Sequence, residues 1–207
     1  MSKARLGILL SGRGSNFEAI AENTRNGTLD AEIAYVFSNR AAAPGLARAR
    51  ELGYEAGTLD GRGMEREAYD REVAALLKQH GVELVCLAGY MRLLSGYFVR
   101  EFPERILNIH PSLLPAFAGL DAQYQAFEHG VKVAGCTVHF VDENLDSGPI
   151  VMQAAVAVEE GDTVETLSAR ILKEEHRIYS LAIAWVLSGQ YRIEGRRVIR
   201  AGRGAGA

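Results

Sequence analysis

The chain has 207 residues, of which 48% are hydrophobic and 24% are charged. These proportions indicate a globular protein with a packed core, and they exclude a disordered or fibrous chain. The formal net charge is −3, so no general basic field would attract nucleic acid or an anionic membrane. We therefore expect small-molecule partners, no nucleic acid and no membrane association.

The N-terminal apolar run is too short to be a targeting or membrane segment. It covers 6–10, is interrupted by Gly7 and is closed by Ser11. Cys86 and Cys136 stand in apolar stretches without the spacing of a metal site, so we expect them to be buried, reduced thiols. Both observations favour a cytoplasmic location.

Short apolar runs alternate with longer amphipathic segments through the first half of the chain. This alternation predicts an α/β fold with a mostly parallel, twisted central sheet, helices on both faces and a Rossmann-like N-terminal half. The predicted strands cover 6–10, 34–37, 54–58 and 84–88, and the helices that follow them cover 17–26, 43–52, 65–80 and 94–102.

The second half has a different pattern, with an antiparallel element and a long helix. The predicted strands 133–141 and 150–158 are joined by a polar turn, so we expect them to pair as antiparallel neighbours. Asp162, with Glu165 at the third helical position, resembles the start of a helix that ends near 188–189. The other predicted elements are a strand at 106–110, a helix at 122–129 and a terminal hairpin at 192–199. We expect one domain over 1–200, made of the halves 1–104 and 105–200, and a disordered tail at 201–207.

Asn108 and His110 stand at the end of the predicted strand 106–110. Residues two apart in a strand share one face, so these side chains should lie side by side. An amide N–H can hold an oxyanion, and an imidazole beside a carboxylate can move a proton near neutral pH. The alternative is a polar pair that only satisfies backbone groups at a strand end.

The turn at 142–149 contains the acidic residue that could lie beside the His110 imidazole. Its acidic residues alternate as in a calcium loop, but glycine comes one place late, at Gly148, and Gln153 stands where a bidentate Glu is needed. We therefore predict no metal site. We expect Asp146 to point inward, where it would favour the charged form of His110.

A glycine loop at 11–16 joins the first predicted strand to the first helix. Its backbone N–H groups and the positive end of the helix dipole would suit a phosphate. It lacks the Lys of a Walker loop, Phe17 replaces the third glycine of a dinucleotide fingerprint, and no acid ends the next strand. The loop thus favours a monophosphate, and the alternative is a tight turn without a ligand.

Two further sites place polar residues in apolar surroundings. Glu175 lies on the apolar stripe of the long helix and needs a partner, either a structural cation or an amine-bearing ligand. Thr137 and His139 alternate along a predicted strand and would stand behind the site. A hydrogen-bonded core histidine is the alternative reading of His139.

Six motifs, in their order and spacing, resemble those of the phosphoribosylglycinamide formyltransferase family of folate-dependent enzymes. They occupy 11–16, 36–39, 87–92, 108–115, 135–141 and 146–149, so the match covers nearly the whole chain. The resemblance implies a formyltransferase fold and transfer of a formyl group from 10-formyltetrahydrofolate to the amine of N1-(5-phosphoribosyl)glycinamide in de novo purine biosynthesis. It implies no metal, and we expect a monomer or a homodimer.

The resemblance also implies a role for each predicted site residue. Asn108, His110 and Asp146 would be catalytic, and Glu175 would face the substrate amine. The residues that would bind the phosphate of glycinamide ribonucleotide are Gly14, Ser15 and Asn16. The residues that would bind folate are Arg66, Met91, Arg92, Leu93, Leu94 and Asn108.

The loop after the 108–115 motif departs from the family pattern. Ala118, Asp121 and Tyr124 stand where many relatives have Pro, His and a basic residue. Loss of the proline should loosen the loop, and the added carboxylate should change its contacts with a phosphorylated substrate.

Three alternative functions agree less well with the sequence. Formyltetrahydrofolate deformylase carries an extra N-terminal domain, whereas the first strand here begins almost at Met1. Methionyl-tRNA formyltransferase needs an added basic C-terminal domain. A non-catalytic nucleotide-binding module would leave Asn108, His110 and Asp146 unexplained.

Overall fold

The structure is a computed structural model that describes residues 2–201, and strands and helices alternate along most of it. The strands are β1 Ala4–Leu10, β2 Ala31–Ser38, β3 Ala56–Thr58, β4 Leu84–Leu87, β5 Ile106–His110, β6 Val133–Phe140, β7 Ile150–Ala157, β8 Tyr191–Glu194 and β9 Arg197–Arg200. The helices are α1 Ser15–Arg25, α2 Pro44–Glu51, α3 Arg66–Gln79, α4 Gly96–Glu101, α5 Ala122–Glu128 and α6 Val164–Leu187.

All the strands of the described residues belong to one sheet, in the order β3-β2-β1-β4-β5-β6-β7-β9-β8. The first five strands in this order are mutually parallel. β6 then pairs antiparallel with both β5 and β7, and β8 and β9 form the terminal hairpin. The predicted α/β fold, with its parallel first half and antiparallel element, is confirmed.

Side chains that alternate along each strand enter two separate core layers. In β1, Leu6, Ile8 and Leu10 face the layer that contains residues of α1 and α6, while Leu9 faces the layer that contains Tyr69 of α3. Both faces of the sheet are therefore covered by helices, as predicted. Each fully buried Leu or Ile stabilises the fold by about 2 kcal/mol.

Helix α6 begins one residue later than predicted. Thr163, not Asp162, is the N-cap, and it forms a capping box with Thr166. The Asp162 carboxylate instead accepts hydrogen bonds from the Arg170 guanidinium, at 2.6 and 2.8 Å. The prediction of Asp162 and Glu165 as the cap pair was wrong because Arg170, about two turns further along the helix, holds the Asp162 carboxylate in a charge-assisted ion pair.

The sheet runs without interruption across the predicted boundary between the halves 1–104 and 105–200, because β4 pairs directly with β5. The division into halves stays a prediction. Of the predicted tail 201–207, only Ala201 lies within the described residues. Between residues 2 and 201, no helix is both long enough and apolar enough to cross a lipid bilayer.

Candidate functional site

A cavity lies where the strand order reverses. The chain runs from β1 outward to β2 and β3, and then returns to β4 and β5 on the other side of β1. In open α/β sheets, ligands bind beyond the carboxyl ends of the strands at such a point. The cavity here has a volume of about 1040 Å³.

This cavity brings together most of the predicted site residues. Those that line it are Gly14, Ser15, Asn16, Met91, Arg92, Leu93, Asn108, His110, Asp146 and Glu175. Arg66 is exposed at the start of α3 and Leu94 is half-buried behind the 91–93 segment, and neither belongs to the lining. Thr137 and His139 are buried in β6, next to β5, and also stand outside the lining.

His110 and Asp146 form the centre of a buried polar cluster. His110 Nδ1 lies 3.4 Å from Asp146 Oδ2, and the two side chains are only 6% and 10% exposed. The other ring nitrogen, Nε2, lies 2.9 Å from the Phe117 carbonyl oxygen. Both neighbours are acceptors, so a protonated ring can donate to both, whereas a neutral ring can serve only one.

The local backbone explains why Asp146 points inward. Asp146 has a φ of 46°, a left-handed conformation that Asp tolerates better than most residues. A Cβ on Gly148 would lie 1.9 Å from the Phe140 carbonyl oxygen, so glycine is required for the turn to pack on β6. The Gly119 N–H donates to Asp146 Oδ2 at 2.9 Å and holds the carboxylate in place.

Asn108 is paired across the sheet with His139. The two residues are register partners in β5 and β6, and Asn108 Nδ2 lies 3.1 Å from His139 Nε2. His139 Nε2 is also 3.7 Å from Asp146 Oδ1. Thr137, two residues earlier in β6, donates through Oγ1 to the Ser112 carbonyl at 2.7 Å and so fixes the chain after β5.

The glycine loop ends at Gly14, the N-cap of α1. Gly14 has a φ of 81°, and its cap position makes no side-chain hydrogen bond. A Cβ at this position would lie 3.0 Å from the Cα of Gly45, because α2 approaches closely. Glycine is thus needed for the turn geometry, and the same geometry leaves the first N–H groups of α1 free to bind an anion.

Glu175 is bonded to an amide and not to a cation. Asn16 Nδ2 donates to Glu175 Oε2 at 2.7 Å, and Glu175 is 6% exposed. Burial raises the pKa of Glu175, and the bond from Asn16 lowers it in part. Glu175 takes one N–H of the Asn16 amide, which leaves the second N–H of that amide and the backbone N–H of Asn16 for contact with a phosphate.

Two backbone partners of the cluster, the Phe117 carbonyl and the Gly119 N–H, were missed by the sequence analysis. Backbone groups leave no signal in the residue types, so only the three-dimensional path of the loop reveals them. In the described part of the chain, no group of three or more His, Cys, Asp and Glu side chains is placed to bind a metal. The absence of a metal site stays a prediction.

Comparisons with known proteins agree on one family. Residues 4–183 match the family described as formyl transferase. The phosphoribosylglycinamide formyltransferase of Escherichia coli (strain K12) is 43% identical over 187 residues, which are 90% of this chain and 88% of that protein. The solved glycinamide ribonucleotide transformylase 1 of Symbiobacterium toebii is 56% identical, with a TM-score of 0.93 over 96% of this chain and 94% of that one.

A longer relative contains a similar segment. The trifunctional purine biosynthetic protein adenosine-3 of Bos taurus is 46% identical over 192 residues, or 92% of this chain. The chain spans 19% of the length of that protein.

Proposed function

The chain belongs to the formyl transferase family, and we propose that it transfers the formyl group of 10-formyltetrahydrofolate to the amine of N1-(5-phosphoribosyl)glycinamide. The products are N-formylglycinamide ribonucleotide and tetrahydrofolate, in de novo purine biosynthesis. One observation carries the proposal: a single cavity holds a free helix N-terminus, a buried carboxylate and an amide–imidazole–carboxylate cluster.

The ribonucleotide would bind between α1 and α6. Its phosphate would accept hydrogen bonds from the backbone N–H groups of Gly14, Ser15 and Asn16, which the helix dipole makes favourable. The substrate amine would face Glu175. The neutral, nucleophilic amine would donate an N–H to this buried carboxylate, whose hydrogen-bond partner in the structure is the uncharged Asn16 amide.

The folate would occupy the wall formed by the segment after β4. Met91 and Leu93 are 58% and 53% exposed, so they offer apolar surface to a flat ring system. Arg92 lines the cavity beside them, with its guanidinium 4.1 Å from the centre of the Tyr69 ring. Leu94 would support this wall from behind, and Arg66 could reach only a part of the folate that extends beyond the cavity.

In the proposed reaction, the amine nitrogen attacks the formyl carbon, and negative charge develops on the formyl oxygen. An Asn108 N–H would donate to that oxygen, and such a donor is worth roughly 3 kcal/mol in the transition state. The positive charge of a protonated His110 ring would stabilise the oxyanion further. The bond between the formyl carbon and folate N10 then breaks, and the proton lost by the amine is returned to N10. His110 would give its proton to N10 as that bond breaks and would then take up the proton that the attacking amine loses, and the Asp146 carboxylate would stabilise the charged ring.

A formyl-transfer assay with and without the ribonucleotide tests the proposal. We expect tetrahydrofolate to appear only when both substrates are present, without added metal or ATP, and in equal amount to the formylated ribonucleotide. Folate release at the same rate without the ribonucleotide would show that water is the acceptor, and the chain would then be a deformylase. Binding of both ligands without turnover would favour a non-catalytic module.

The remaining expectations are part of the same proposal. We propose that the protein works in the cytoplasm on these small molecules, without nucleic acid, as a monomer or a homodimer. Light scattering on the purified chain, with and without both ligands, would determine the oligomeric state.

A further inference from the structure

His139 has both ring nitrogens within hydrogen-bond distance of a partner, although it does not line the cavity. It is 2% exposed and belongs to β6. Its Nδ1 lies 2.8 Å from the Phe140 carbonyl oxygen, and its Nε2 lies 3.1 Å from Asn108 Nδ2. Asn108 lines the cavity, so this second contact links the buried His139 ring to the site.

These two contacts define which nitrogen carries the proton. A carbonyl oxygen can only accept, so Nδ1 must be the N–H that donates to Phe140. In a neutral ring Nε2 then has a lone pair, and it accepts from the NH2 group of Asn108. If the Asn108 amide were turned over, its oxygen would face this lone pair, and two acceptors would oppose each other.

The charges around His139 agree with a neutral ring. Burial lowers the pKa of His139, and the nearby charge of His110 acts in the same direction, while the hydrogen bond to the Phe140 carbonyl and the charges of Asp146 and Asp142 oppose it. Asp146 is the nearest carboxylate, but its Oδ2 already accepts from Gly119, and its shortest contact with His139, 3.7 Å, is longer than its 3.4 Å contact with His110.

We propose that His139 is a positioning residue: it accepts one N–H of Asn108 through Nε2 and thereby directs the second N–H of that amide into the cavity. The inference rests on the proposed function, in which this second N–H stabilises the formyl oxygen. With the amide turned over, the Asn108 oxygen would repel the developing negative charge. His139 thus determines whether Asn108 is a donor or an acceptor toward the substrate.

The test uses two substitutions that differ in one property. His139→Leu fills a similar volume but offers no acceptor, while His139→Gln can place its amide oxygen near the position of Nε2. We expect kcat of the Leu variant to fall about 10- to 100-fold, with KM for both substrates unchanged, because the orientation matters mainly in the transition state. The Gln variant should recover most of this loss.

A double-mutant cycle separates positioning from a general structural role. In an Asn108→Ala background, His139→Leu should change kcat by less than about twofold, because the group on which His139 acts has been removed. The proposal would be overturned if His139→Leu lowered kcat by the same factor in the Asn108→Ala background as in the wild type. It would also be overturned if the His139→Leu variant kept wild-type kcat. Thermal unfolding of every variant checks that the fold is kept.

Nitrogen NMR of the histidine rings provides a readout that needs neither mutation nor turnover. At neutral pH the His139 ring should show a protonated Nδ1 and an unprotonated Nε2. A ring that is protonated on Nε2 would overturn the inference even if the Leu variant failed to fold. Lack of transferase activity in the wild-type chain would refute the proposed function instead, and the NMR result would still decide the orientation of the Asn108 amide.

Discussion

Replacement of Asp146 by Asn should separate the charge of this residue from its structural contacts. An Asn side chain can still accept the Gly119 N–H bond, and Asn tolerates the φ of 46° found here, so Asp146→Asn should fold normally. What it loses is the negative charge 3.4 Å from His110 Nδ1.

The size of the effect follows from that distance. At 3.4 Å, two unit charges attract by about 5 kcal/mol at an effective dielectric constant of 20 and by about 1 kcal/mol in bulk water. Both side chains are largely buried but border an open cavity, so an intermediate value of about 3 kcal/mol is appropriate. A tenfold change in rate corresponds to about 1.4 kcal/mol, so we expect kcat/KM to fall about 100-fold.

Formyl transfer should be measured for Asp146→Asn beside a matched control. Glu143→Gln removes the same charge from the same turn, but Glu143 is 61% exposed and its ion pair is with Arg100 on the surface. This control should stay within about twofold of the wild type. If Asp146→Asn kept more than a third of wild-type kcat/KM, the electrostatic role assigned to Asp146 would be wrong.

Three other substitutions test separate parts of the site. His110→Ala should keep the affinity for both substrates, measured by calorimetry, but lose about 100-fold or more in kcat, and near-normal turnover would exclude its role. Gly14→Ala should raise KM for the ribonucleotide, because the added Cβ would lie 3.0 Å from the Cα of Gly45. The control is Gly27→Ala, which has a similar φ and open space around it and should cost only about 1 kcal/mol of stability. Burial raises the pKa of Glu175 above its ordinary value of 4.5, so the neutral acid is favoured in the fold, and the free energy of unfolding should fall as pH rises from 4.5 through the raised pKa. Denaturant titrations of Glu175→Gln should lack this fall, and an identical pH dependence in both proteins would contradict the assignment.

Local sequence patterns were sufficient for most of the fold. The period of the apolar residues gave the order of the strands and helices, because each element buries one face or stripe. The start of α6 could not be predicted in the same way. It depends on the competition between Arg170 and the helix N–H groups for Asp162, and this competition involves a side chain two turns away.

The candidate site was only partly visible in the sequence. Asn108 and His110 share a strand, so their proximity follows from the geometry of that strand. The contact between Asn16 and Glu175 joins α1 to α6 across 159 positions of the sequence, and no local rule specifies it. The pairing of Asn108 with His139 depends on the antiparallel register of β5 and β6. Helix α5 lies between these two strands in the chain, so no hairpin turn in the sequence specifies that register.

The cavity draws its lining from residues as far apart in the chain as Gly12 and Glu175. Helices α1 and α6 pack on the same face of the sheet and come together only in the folded chain. A ligand that contacts both therefore binds the folded state, so binding and global folding are thermodynamically linked. At a free ligand concentration 100 times the Kd, this linkage adds about 2.7 kcal/mol to the stability of the whole chain. Substrate supply would therefore influence how long the enzyme survives in the presence of proteases, as well as how fast it turns over.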